Sequence, residues 1–154
     1  MNNLLRGESN IRRLKQAYYI TAIAALFSGM AIYIFFRDTK NMLLFHYLPR
    51  WSFLNTLHSP IESNSIWTDM FIFNFPYGLW CLSGLLLIRA IWLTEKNWRN
   101  IYRIVYIAIV MTYVLLKLPG ITPGTFDVLD LVFMGLFAFV ESIIFNIFVR
   151  RRII

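Results

Sequence analysis

The sequence predicts an all-α, polytopic membrane protein: a bundle of four transmembrane helices with both termini in the cytoplasm. Three observations predict it. The 154 residues are 58% hydrophobic and 18% aromatic, against an apolar content of roughly 45 to 50% in soluble domains. Four stretches approach or reach the about 20 apolar residues that a bilayer core requires. Most of the cations fall on one side of those stretches. A single membrane domain, 1–154, accounts for the whole length.

The first span is predicted at about Ala17 to Phe36. Cations precede it at Arg6, Arg12, Arg13 and Lys15, as they would a signal peptide. The small triplet Ala22 to Ala24 comes too early in the run for a cleavage site, and the run continues to Phe36, so a retained span is expected. Thr21, Ala25 and Gly29 recur every four residues and make a small stripe for close helix packing. An outer loop follows over residues 37–69, aromatic and apolar with Pro49 and Pro60. Its run from Met42 to Leu57 is amphipathic enough to lie in the interface plane.

The second span, about Met70 to Leu93, carries Asn74, Pro76 and Gly78 in its first turns. A proline there removes a backbone donor and kinks the helix, and Asn74 is a candidate partner for the freed carbonyl. The third span, about Tyr102 to Leu118, is short, and PGITPG (119–124) forces a tight loop after it. The fourth, about Val128 to Val149, places Gly135, Ala138, Ser142 and Asn146 on a small and polar ridge. Trp67 and Tyr77 on the outer side, and Trp92, Trp98 and Tyr102 on the inner side, fit the aromatic belts of the headgroup levels.

Orientation follows from the positive-inside rule. Of 15 Lys and Arg residues, all but Arg37, Lys40, Arg50 and Lys117 fall on the side of the termini and the second loop. The net charge of +7 therefore reads as a topology signal and an attraction to anionic membrane lipids, with no direct nucleic-acid role. A multi-pass protein of a bacterial inner membrane is expected from the short loops and the Asn/Ile/Phe-rich composition. Cys81, the one cysteine, lies inside a span and says nothing about redox compartment.

At 100° per residue, Asp127, Asp130, Met134 and Glu141 fall within a helical sector of about 60°. An intramembrane carboxylate costs at least about 2.5 kcal/mol and needs a partner. Arg89, near the cytoplasmic end of the second span, can reach Glu141 along its stem, so an intramembrane Arg89–Glu141 pair is predicted. At the other end, Asp127 and Asp130 suit the start of a helix. With Asp69, Asn74 and Lys117 they compose an outer polar pocket beside the Pro76 and Gly78 kink. Arg99, Arg103, Arg150, Arg151 and Arg152 are candidates for docking a cytoplasmic protein partner or anionic lipid. His46 and His58, near Glu62 and Asp69, match no metal-ligand spacing. No nucleophile elbow, phosphate-cradling loop or nucleotide fingerprint occurs, so neither enzymatic activity nor a cofactor is expected.

FIFNFPYGLW (71–80) near the start of one span and GTFDVLDL (124–131) leading into the last resemble the VanZ-like membrane family. The matching positions are Pro76, Gly78, Phe126, Asp127 and Asp130, in a likeness covering about half of the chain. That resemblance implies a cell-envelope or glycopeptide-resistance role. The overall layout, a compact four-span protein with basic cytoplasmic ends, is similar to the membrane subunits of Kiwa anti-phage defence systems. It implies a homo-oligomer that responds at the envelope and recruits a cytoplasmic DNA-binding partner. Three expectations result: a sensor or scaffold subunit in anti-phage defence, an envelope protein binding a headgroup at its outer face, and a membrane pore or depolarising effector.

Overall fold

The computed structural model describes residues 2–36, 65–121 and 127–145, with side chains from Glu8 onward in the first segment. All the described elements are helical: α1 (Asn2–Phe36), α2 (Ile66–Ile91), α3 (Lys96–Leu115) and α4 (Val128–Ile144). Two of them, over Glu8–Phe36 and Ile66–Ile91, are long and apolar enough to cross a membrane. The interface helix expected after Met42, together with His46, His58, Phe126, Asn146 and Arg150 to Arg152, lies outside the described residues.

α2 is the centre of the bundle. The other three helices pack on it, α1 most extensively, while α3 and α4 touch each other little. Small residues set these approaches. A Cβ added at Gly29 of α1 would stand 2.6 Å from Trp80 Nε1. On α2, side chains at Gly78 and Gly84 would collide with Phe137 of α4 and Tyr106 of α3. The buried stripe of α1 is Tyr18, Ala22, Ala25 and Gly29. Thr21, expected in that stripe, is exposed and bonds back to the Ala17 carbonyl at 2.9 Å. Ala22 is fully buried, which brings α2 close enough for Ser83 Oγ to donate to its carbonyl at 2.8 Å. On α4 the buried face is Asp130, Met134 and Glu141, as the helical phase predicts. Gly135 of the expected small ridge faces open space.

The surface is inverted relative to a soluble bundle. Ile20, Phe27, Ile104, Ile109 and Phe139 are each more than 60% exposed, whereas Arg89, Lys117, Asp130 and Glu141 are buried. Single exposed apolar residues are ordinary, but a continuous apolar exterior around buried charges is the arrangement lipid favours over water.

The proline in α2 is absorbed by a change of helical register. Pro76 has no N–H for the Ile72 carbonyl four residues back. The preceding Met70–Asn74 segment is a π turn, and Phe75 N–H reaches the Met70 carbonyl, five back. The Asn74 side chain is thereby not needed for the backbone, contrary to the sequence expectation. α3 ends in a Schellman closure. Gly120 N–H bonds the Lys117 carbonyl, Ile121 N–H bonds the Leu116 carbonyl, and Gly120 takes φ +73° as the closure requires. That stop leaves Lys117 in the last turn, pointing inward.

Candidate functional site

Two polar clusters lie at opposite ends of the bundle. At one, Asn74 leaves the π turn of α2 and faces the start of α4, donating to Asp127 Oδ2 at 2.8 Å and Asp130 Oδ1 at 3.0 Å. Both amide hydrogens are thus used on carboxylates, which holds two like charges side by side. Asp127 also caps α4, where its Oδ1 accepts from Leu129 N–H at 2.9 Å. Lys117 donates to Asp130 Oδ2 at 3.1 Å and to the Tyr77 hydroxyl at 3.0 Å. It also lies 4.2 Å from the Tyr77 ring centroid. Asn74, Asp130 and Lys117 are buried.

This network forms the back wall of a cleft of about 490 Å³. Asp69, Asn74, Tyr77, Asp127 and Asp130 line it, together with apolar Ile66, Met70, Phe73 and Leu129. No cation is among the described lining residues, because Lys117 stands behind Asp130 and is matched by it. The four predicted pocket residues Asn74, Lys117, Asp127 and Asp130 therefore meet in one network, and Asp69 joins them on the cleft wall. Tyr77 is a residue the sequence reading placed in the aromatic belt. It is half-buried in the network, and its position one helical turn after Asn74 is the signal that would have placed it there.

At the other end, the predicted Arg89–Glu141 pair forms. Arg89 Nε donates to Glu141 Oε1, and Arg89 Nη2 lies 3.2 Å from Oε2. Arg103 completes the carboxylate, with Nη2 2.8 Å from Glu141 Oε2 and 2.7 Å from Ser142 Oγ. Arg99 is turned inward as well. Its Nη1 donates to the Leu93 carbonyl at 2.8 Å, and its guanidinium carbon lies 4.7 Å from the Phe145 ring centroid. Arg99 and Arg103 were expected to dock a cytoplasmic partner. Both are taken up within the bundle, because the buried Glu141 carboxylate and the open carbonyl after α2 draw their donors inward. Trp92, Trp98 and Tyr102 stack beside them with ring centroids 5.2 to 6.1 Å apart. Among the described residues no group of His, Cys, Asp and Glu is arranged to hold a metal ion.

Together, fold and clusters define a class: an all-α bundle with two helices long and apolar enough to cross a membrane and a polar cleft at one end. Comparison of the chain with known protein families, curated proteins and solved structures finds no match.

Proposed function

We propose that the chain is a non-enzymatic, multi-pass protein of a bacterial inner membrane that holds an amine- or hydroxyl-bearing headgroup in its outer cleft. The observation that carries this reading is the Asn74, Asp127, Asp130, Lys117 and Tyr77 network, pre-arranged behind a cleft whose described lining has carboxylates and no cation. A ligand rich in N–H or O–H donors, with an apolar tail against Met70 and Phe73, complements that wall. The apolar exterior and buried charges support four spans, with α3 and α4 completing the bundle. The asymmetry of Lys and Arg supports cytoplasmic termini and a cleft on the outer face. Two positions of the VanZ-like resemblance, Asp127 and Asp130, belong to this site, which agrees with an envelope role.

The sensor or scaffold reading keeps one observation in its favour. α1 continues as a helix well ahead of its apolar stretch and exposes Arg12 and Arg13 there, a surface for a cytoplasmic partner of a homo-oligomer in anti-phage defence. The pore reading loses ground, since Glu141 is fully engaged by two arginines.

Native mass spectrometry of the protein from phosphatidylethanolamine nanodiscs tests the cleft. Wild type should retain the amine lipid, and Asn74→Ala and Asp127→Asn should each lower retention by about tenfold, the equivalent of one charge-assisted hydrogen bond. Equal retention by both variants refutes headgroup binding at this cleft. Stoichiometric capture of a soluble protein by wild type, lost in Arg12→Glu and Arg13→Glu, establishes the scaffold reading in its place.

A further inference from the structure

The inner cluster has more donors than its described acceptors can use. The Tyr18 hydroxyl, Arg99 Nε and Arg103 Nε are buried with no hydrogen-bond partner. Tyr18 and Arg99 are only 7% and 8% exposed, so water does not serve them freely. Buried donors are ordinarily satisfied, and three unmet ones in one neighbourhood mark a missing acceptor. The charges agree. Arg89 and Arg103 both bond Glu141, and Arg99 shares the Phe145 ring with Arg89, so three inward-turned cations meet one buried carboxylate among the described residues. The groups are contiguous: the guanidinium carbons of Arg89 and Arg99 lie 3.5 and 4.7 Å from the same Phe145 ring centroid, and Tyr18 belongs to the apolar cluster that Phe145 covers.

An apolar crevice of about 200 Å³ adjoins them between α1, α2 and α4. Leu14, Leu82, Leu86 and Ile144 wall it, and Tyr18 and Glu141 also line it, so it opens onto the charged cluster. An anion with several acceptor oxygens and an attached hydrocarbon chain fits both halves. The guanidinium fork is suited to phosphate oxygens, and the crevice to an acyl chain.

We infer that Tyr18, Arg99 and Arg103 form a binding site for one anionic phospholipid, its phosphodiester on their free donors and one acyl chain in the crevice. The site is separate from the outer cleft and stands or falls independently of it. The phosphate balances the excess positive charge, and the lipid locks α1 against α4, two helices that otherwise meet chiefly through α2.

The test uses the full chain in nanodiscs of equimolar phosphatidylglycerol and phosphatidylcholine, with retained lipid read by native mass spectrometry. Wild type is expected to keep one phosphatidylglycerol per chain in preference to phosphatidylcholine. Arg99→Gln should lower that occupancy by about tenfold, Tyr18→Phe by a few-fold, and Arg99→Lys should restore part of it. Equal retention of the two lipids overturns the inference. So does wild-type occupancy in both Arg99→Gln and Tyr18→Phe, the latter a substitution that keeps the packed ring. Displacement of phosphatidylglycerol by millimolar inorganic phosphate, at no cost to melting temperature, would make the ligand a free phosphate and overturn the lipid assignment.

Discussion

Glu141 is the residue whose environment is least tolerant of change. It is 1% exposed, and its two oxygens take donors from α2 and α3 while its backbone belongs to α4, so one side chain ties three helices. Neutralising it strands two guanidinium groups below the surface. Glu141→Gln is expected to destabilise by about 3 to 5 kcal/mol, read as a large fall in melting temperature in mild detergent. Arg103→Gln should cost less, because the Arg103 side chain keeps 18% exposure and can be replaced by water at the rim. A fall for Arg103→Gln equal to that for Glu141→Gln would contradict this assignment of the network's centre. The pair itself is legible in the sequence from charge and reach: Arg89 and Glu141 are opposite charges inside their predicted spans, and the long arginine stem covers their difference in depth. Its third member is not. Charge and position make Arg103 a cation for orientation and for docking a cytoplasmic partner, and neither reading takes account of helical phase.

Helical phase is recovered at the scale of elements. Along α3 and the turn that follows it, Arg99, Arg103, Tyr106, Val110, Val114 and Lys117 are spaced three and four residues apart and make one stripe. In the structure Arg99, Val114 and Lys117 of that stripe are buried, while Tyr106 and Val110 pack against the core. A helix that is charged at both ends of its inward face and apolar elsewhere reverses the usual amphipathic sense, and that is why charge alone points to Arg99 and Arg103 as docking residues. The stripe of α1 was displaced for a related reason. Thr21 is small and fits the spacing, but its hydroxyl is satisfied by its own helix, which leaves Ala22 to meet α2. The proline and glycines of α2 were visible in the sequence as a kink. The π turn was not, because it answers to a bond between Asn74 and two aspartates more than fifty residues away. Gly84 supplies a test at this scale. Tyr106 is held over it by a 3.2 Å bond from its hydroxyl to the Trp80 carbonyl, so an added methyl cannot be relieved without breaking that bond. Gly84→Ala should destabilise by about 1 to 3 kcal/mol, and Tyr106→Phe combined with it should cost less than the sum of the two. Strict additivity would show that Tyr106 is free to move away.

The whole molecule separates its charges by location. Among the described residues, buried or half-buried carboxylates and one lysine collect at the end where α2 and α4 begin, inward-turned arginines and one buried carboxylate at the end where α2 stops and α3 begins, and between them lies Cys81, Leu85, Val114 and Met134 packing. Buried polar groups are expensive, so two ion-paired clusters at opposite ends give the helices a fixed register and leave an apolar middle. The proposed headgroup cleft and the proposed phospholipid site lie at opposite ends of the bundle, so both proposals depend on its orientation in the membrane. Cysteine labelling in intact cells measures it most directly. Cys81 is buried and provides a silent background, so single cysteines at Ser65, just before α2, and at Lys96, at the start of α3, report on the two ends. A membrane-impermeant maleimide should modify Ser65→Cys in intact cells and Lys96→Cys only after the membrane is opened. Labelling of Lys96→Cys from outside, or protection of Ser65→Cys until lysis, would place the carboxylate cleft on the cytoplasmic face and contradict the account.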